Sequence, residues 1–223
     1  MTARYGYHDV LSGLVPFCVD TADCTDVMRS MPSQCFDMCI TDPPYGIMKD
    51  TWDVSFDIGW IHEVARVTRK AIIVIPGVDN IAAMPHEFGD FQYVWTFAGV
   101  MTNNMARGRL GFGNWIPAML YARKGLDEKL CLKQIKDVVM FPITQRKLGW
   151  HPTPKPLVFM EWLVSRFDAE TVFDPFCGSG TTGIACLKHK RRFYGIEIDE
   201  TYASLCNQRL SAFLAQRELG IEE

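Results

Sequence analysis

Short, continuous apolar runs recur along the 223-residue chain, at 36–41, 71–76, 92–98, 118–122, 171–174 and 192–198. Each has the length of a strand, and most lack the strict alternation of a sheet with one wet face. Between them the apolar positions fall at helical spacing over 58–68, 156–167, 181–189 and 200–216, with Pro156 suited to a first helical turn. Strands alternating with helices, without internal repeat or low-complexity tract, predict an α/β domain whose mostly parallel sheet is covered by helices.

Two stretches interrupt this pattern. Residues 99–113 hold Asn103-Asn104, Arg107-Gly108-Arg109 and Gly111-Phe112-Gly113, so many breakers that a loop is expected. Residues 125–149 are polar and basic. Each is too short to bury a core of its own, so both read as excursions from one domain spanning 1–223.

Composition narrows the class. Hydrophobic residues make up 48% of the chain, yet no run approaches the roughly 18 apolar residues of a membrane span. The first residues lack the apolar stretch of a signal peptide. A cytoplasmic protein without a membrane partner is expected. The eight cysteines are scattered without a Cys-x-x-Cys pair or nearby histidines, which predicts reduced, packed thiols and no metal site.

The net charge of −3 hides a division: residues 104–155 carry +7 and the remainder −10. A basic stretch on an acidic body is the footprint of a phosphate-backbone partner. Arg107, Arg109, Arg146 and Lys147, in segments rich in glycine or polar residues, are the candidates for reaching around a duplex.

Two strand ends carry candidate chemistry. The strand ending near Thr41 runs into Asp42-Pro43-Pro44-Tyr45, an acid on a stiff turn followed by an aromatic. The strand ending at Asp174 runs through Pro175-Phe176-Cys177-Gly178-Ser179-Gly180 into Thr181-Thr182, where a helix opens; a further strand ends in Glu197. Glycines there let the backbone approach a ligand, and an acid at the end of the next strand accepts hydrogen bonds from ribose hydroxyls. The loop lacks the full G-x-G-x-x-G spacing and any Gly-Lys-Ser/Thr ending, which argues against pyrophosphate and triphosphate ligands. The residues fit a cofactor with a ribose and no phosphate beside a catalytic edge for a planar amine.

Asp-Pro-Pro-Tyr, then His151-Pro152-Thr153-Pro154-Lys155-Pro156, then Asp-Pro-Phe-x-Gly-Ser-Gly-Thr-Thr resembles the DNA amino-methyltransferases that act on adenine N6 or cytosine N4. With the catalytic motif first and the cofactor motif second, the order is similar to the permuted β class. The resemblance runs from about residue 20 to residue 209. It implies a Rossmann-like S-adenosylmethionine-dependent methyltransferase sheet, circularly permuted with the catalytic half first, and duplex DNA as partner.

The resemblance also implies roles for individual residues. Asp42 and the carbonyl of Pro43 would accept the two amine hydrogens, Pro44 would stiffen the turn, and Tyr45 would stack on a base rotated out of the duplex. Asp174, Phe176, Gly178 and Gly180 would surround the methionine part of S-adenosylmethionine, which leaves as S-adenosylhomocysteine. The remaining loop residues Cys177, Ser179, Thr181 and Thr182 belong to the same cofactor site. Glu197 would take the ribose, Ile198 the adenine ring, and Asp23-Cys24 the adenine amine. Thr153 and Lys155 would hold the methionine carboxylate. His151 is taken with them, its alternative being a cap on the proline-rich turn.

An aspartate at the first catalytic position favours adenine; serine there commonly accompanies cytosine. Cytosine N4, the same chemistry on RNA, and a nucleic-acid-binding module with a decayed site stand as alternatives. The recognition excursions are short compared with many relatives, which leaves room for a second subunit, such as a homodimer partner, to supply contacts.

Overall fold

A computed structural model describes residues 5–44, 59–103, 115–126, 130–131, 136–142 and 155–220. Five parallel strands form its centre, in the order β1 (Phe17–Thr21), β9 (Arg192–Glu197), β8 (Thr171–Asp174), β2 (Phe36–Thr41) and β3 (Thr68–Val74). Beyond β3 the sheet continues through antiparallel β6 (Trp115–Arg123) to β5 (Phe91–Met101), which also pairs with β4 (Glu87–Phe88) and, in parallel, with β7 (Val138–Phe141).

The inner stretches of β2, β3, β8 and β9 are apolar because both faces are covered. Met38, Ile40, Ala71 and Ile73 pack into one layer with α4 (Leu157–Val164), α5 (Thr181–Lys188) and α6 (Glu200–Glu218). Cys39, Ile72 and Val74 pack into the other with α1 (Tyr7–Ser12), α2 (Cys24–Arg29) and α3 (Trp60–Val67). In α3 the buried Trp60, Ile61, Val64, Ala65 and Val67 form the single apolar stripe that a helix lying on a sheet needs. Both α2 and α6 begin at an aspartate: Asp23 accepts from the N–H groups of Thr25 and Asp26, and Asp199 from those of Thr201 and Tyr202.

One expectation for the excursions is corrected. The breakers after Ala98 do not end β5, which continues through Gly99 to Met101. At Gly99 a Cβ would lie 2.7 Å from the Phe159 ring, so this glycine makes room for an aromatic from α4 and does not break the strand. Within 125–149, Val138–Phe141 forms β7, paired in parallel with Ala98–Met101. The strand β1 also escaped the pattern: Asp20 interrupts its apolar run, and that carboxylate is explained by Tyr194, whose hydroxyl donates to it at 2.6 Å.

All eight cysteines are free thiols, six of them buried. Among the described residues no helix is long and apolar enough to cross a membrane.

Candidate active site

From β8 the chain passes through α5 to β9 on one side of the sheet; from the neighbouring β2 it passes through α3 to β3 on the other. The chain diverges between these two adjacent parallel strands, and such a divergence opens a crevice at the strands' carboxyl ends. Asp174 closes β8, and Asp42 directly follows β2. Two motifs more than a hundred residues apart therefore meet at one crevice.

Asp174 is 1% exposed. Its Oδ1 accepts from the Thr41 hydroxyl at 2.9 Å and the Phe176 N–H at 3.1 Å, and its Oδ2 from the Thr182 hydroxyl at 2.7 Å. Burial pushes its pKa up to about 7 although these three donors pull it down, and the negative charge of Asp42 raises it further. The carboxyl group thus supports the loop from beneath.

The loop above it is held at every turn. Cys177 N–H donates to Ile196 O at 3.0 Å, Gly178 N–H to Glu197 Oε2 at 2.9 Å, and Gly180 N–H to Cys177 O at 2.8 Å. Arg209 of α6 donates to the carbonyl of Ser179. Gly180, at φ +82°, precedes α5, and a Cβ there would lie 2.4 Å from Cys206 Sγ. Only glycine suits both the left-handed backbone and that contact. The ring of Phe176 meets Trp60 of α3 edge-on, with centroids 5.2 Å apart.

Glu197 ends β9 and accepts at its other oxygen from Asp199 N–H at 2.9 Å. Burial raises its pKa against these backbone donors. Each oxygen of a carboxylate has two lone pairs, so one bond apiece leaves acceptor capacity for hydroxyl groups. Beside it Ile198 is 63% exposed, an apolar surface at the mouth of the crevice. Register brings the Asp23 turn to the same place: Thr21 pairs with Glu197, and Ala22 N–H donates to Glu197 O at 3.1 Å. Asp23 is exposed, whereas Cys24 is buried, with burial raising its thiol to about 11.

Lys155 Nζ contacts Asp42 Oδ2 as a hydrogen-bonded ion pair, with both side chains half-buried. The resemblance implies that this lysine holds a cofactor carboxylate; in the structure its ammonium pairs with Asp42 across the crevice. Pro43 and Pro44 follow Asp42, Pro43 being buried. Tyr45, His151, Thr153, Arg107, Arg109, Arg146 and Lys147 lie outside the described residues. Thr41 and Arg209 were missed. Nothing in the sequence pairs Thr41 with Asp174 or Arg209 with Ser179.

Cysteine chemistry is not supported. Cys39 is fully buried, and burial and the nearby Asp174 raise its thiol pKa well above the ordinary value. Cys177, which shares a hydrogen bond with Cys206 across 4.0 Å, is raised well above it too, by that bond and by burial. Neither supplies a ready thiolate.

The +7 segment divides once it is folded. Arg123, at the far end of β6, pairs with Asp90 and donates to the carbonyls of Ala65, Thr68 and Arg69, and Lys124 pairs with Glu87. By contrast, β5 ends, β6 begins and β7 ends at the edge of the sheet that carries Asp42.

A Rossmann-like sheet whose crevice joins an acid on a proline turn to a glycine loop, with a glutamate at the end of the next strand, defines a nucleotide-cofactor group transferase, with its halves in permuted order. Residues 36–208 match the DNA methylase model of the N6/N4 methyltransferases, and the chain belongs to that family. Type II methyltransferase M2.LlaDCHI of Lactococcus lactis subsp. cremoris is 36% identical over 239 residues, covering 85% of this chain and 87% of the relative. Type II methyltransferase M.ScaI of Streptomyces caespitosus is 25% identical over 248 residues, covering 85% and 80%. Among solved structures, the M1.HpyAVI complex with S-adenosylmethionine superposes with a TM-score of 0.69 at 25% identity, covering 87% of this chain and all of that one. The cytosine-N4-specific PvuII methyltransferase gives 0.66 at 13% identity, covering 90% and 92%, a likeness of fold.

Proposed function

We propose that this DNA methyltransferase transfers a methyl group from S-adenosylmethionine to the exocyclic N6 of adenine in duplex DNA. The observation that carries the reading is the juxtaposition of Asp42, on its Pro-Pro turn, with the Asp174 loop at the point where the chain diverges. When bound, S-adenosylmethionine supplies an electrophilic methyl group on its sulfonium.

The residues present fit that cofactor. Glu197 has acceptor capacity left for the ribose hydroxyls, and the exposed Ile198 offers an apolar surface to the adenine ring. The backbone of Gly178 and Gly180 lets the methionine part approach the loop. Asp174 is already satisfied by three donors, so its role is to set the loop and to place a titratable charge below it.

Adenine's amine is a weak nucleophile because its lone pair is delocalised into the ring. The Asp42 carboxylate accepts one amine hydrogen and the Pro43 carbonyl the other, which lets the nitrogen pyramidalise and turns its lone pair out of the ring plane. Catalysis is then orientation together with stabilisation of the positive charge that develops on the nitrogen, which is discharged when its extra proton leaves along the hydrogen bond to Asp42. The amine is paired and hidden in the duplex, so the base is rotated out, with Tyr45 as its stacking partner. Lys155 neutralises Asp42 before the base arrives. An ammonium has three N–H groups, so it can hold the carboxylate and a cofactor carboxylate together.

Asp42→Ala is expected to slow methyl transfer by roughly 10²- to 10³-fold while S-adenosylmethionine affinity by calorimetry stays close to that of the wild type. Full activity, or loss of cofactor binding, would overturn the role. Digesting methylated DNA to nucleosides for mass spectrometry should yield N6-methyladenine; N4-methylcytosine would refute the choice of base.

A further inference from the structure

The paired register between β2 and β8 runs through Met38↔Val172 and Cys39↔Phe173 and stops there. At the opposite end of the pair, Asp37 accepts from the N–H groups of Glu170 and Thr171 at 2.8 and 3.1 Å. Towards the crevice, among the described residues, the bond that continues the pairing is made by side chains, from the Thr41 hydroxyl to Asp174 Oδ1 at 2.9 Å.

The other side of β2 is secured differently. Its pairing with β3 reaches Thr41↔Val74, and Ile75 N–H donates to Thr41 O at 2.8 Å. The backbone of Thr41 thus belongs to the β3 side and its hydroxyl to the β8 side. Thr41 is fully buried and immediately precedes Asp42. Asp174, the acceptor, also receives Phe176 N–H and the Thr182 hydroxyl from the cofactor loop.

We propose that Thr41 is a positioning residue that ties the strand carrying the amine acceptor to the loop carrying the methyl donor and fixes their separation across the crevice. This rests on the methyltransferase reading above. The paired register between the two strands ends at Cys39 and Phe173, short of Asp42 and Asp174, and the strands feed helices on opposite faces, so no backbone pair between them holds their ends at the crevice. A single buried hydroxyl–carboxylate bond closes that gap. Transfer needs the reacting atoms about 3 to 3.5 Å apart, and a misplacement of about 1 Å can cost a hundredfold in rate.

The test is single-turnover methyl transfer to duplex DNA at saturating S-adenosylmethionine. Thr41→Val keeps the shape and removes the donor; its transfer rate should fall roughly 10- to 100-fold, with cofactor affinity changed far less. Thr41→Ser restores the hydroxyl and should recover most of the rate. If Thr41→Val does not fold, as judged by circular dichroism, Thr41→Ala takes its place with the same readouts. A Val or Ala variant within twofold of the wild type, or a Ser variant as slow as Val, overturns the proposal. A wild-type protein that methylates no DNA would instead sink the functional reading, so the two failures are distinguishable.

Discussion

The carboxyl group of Asp174 carries a measurable consequence before any cofactor binds. Burial raises it from an ordinary value of 3.8 to about 7. A carboxyl group whose folded pKa is raised contributes stability that is fully present below its unfolded value and is lost as pH rises through the folded one. Stability from this group therefore falls across the window from about pH 4 to pH 7, and the loss is complete above it. Linkage puts the total near 1.4 kcal/mol per unit, on the order of 4 kcal/mol, with about 2 kcal/mol of it falling between pH 5.5 and pH 8.5.

Asp174→Asn removes the titration and keeps most of the geometry. Its amide oxygen can accept from Thr41 and Phe176, and its NH₂ can donate to the Thr182 hydroxyl. The variant should gain stability relative to the wild type as pH rises. The difference in unfolding free energy between the two proteins should move by about 2 kcal/mol in the variant's favour between about pH 5.5 and pH 8.5, or roughly 4 to 8 °C in melting temperature for a chain of this length. Thermal or urea unfolding of both proteins over that range, without cofactor, makes the measurement. Other titrating groups, Glu197 included, are common to both proteins and cancel in the difference. A gap that is constant with pH would mean that Asp174 does not titrate in this window, and the account of its burial would be wrong.

Glu197→Gln is expected to weaken S-adenosylmethionine by roughly 1.5 to 3 kcal/mol, because an amide cannot accept from Gly178 and Asp199 while also holding ribose hydroxyls on both atoms. Calorimetry checks it, and unchanged affinity would remove Glu197 from the cofactor site. Replacing Arg107, Arg109, Arg146 and Lys147 together with alanine should flatten the salt dependence of DNA binding by about 0.9 in log–log slope for each phosphate that is no longer neutralised. An unchanged slope over a salt titration would make these four residues a solvated surface.

Much of the fold was legible because the central strands are buried on both faces. Continuous apolar runs with no polar alternation imply parallel neighbours, and β2, β3, β8 and β9 appear close to where those runs fall. The strands that escaped do so for physical reasons. In β1 an aspartate cuts the apolar run short, satisfied by a tyrosine 174 positions away. In β5 a glycine that reads as a breaker makes room for Phe159. The candidate site was legible as two motifs, since acid, proline and glycine at strand ends are backbone requirements visible in any sequence. Its inner support was not legible, because Thr41 to Asp174, Arg209 to Ser179 and Lys155 to Asp42 are partnerships made by strand adjacency and helix packing.

The permuted order of the halves follows from the same logic. Which strand comes first along the chain is a matter of connectivity, whereas the crevice depends on which strands are adjacent and on where their helices leave. With β2 beside β8, and α3 and α5 on opposite faces, Asp42 and the glycine loop meet whichever motif is translated first. The arrangement makes the site depend on a non-local strand pair. The two chains of the crevice have no short connection to hold their ends together, and the paired register between them stops at Cys39 and Phe173. A site built this way needs a cross-link of its own near the reacting atoms. The buried Thr41–Asp174 hydrogen bond stands where that requirement falls.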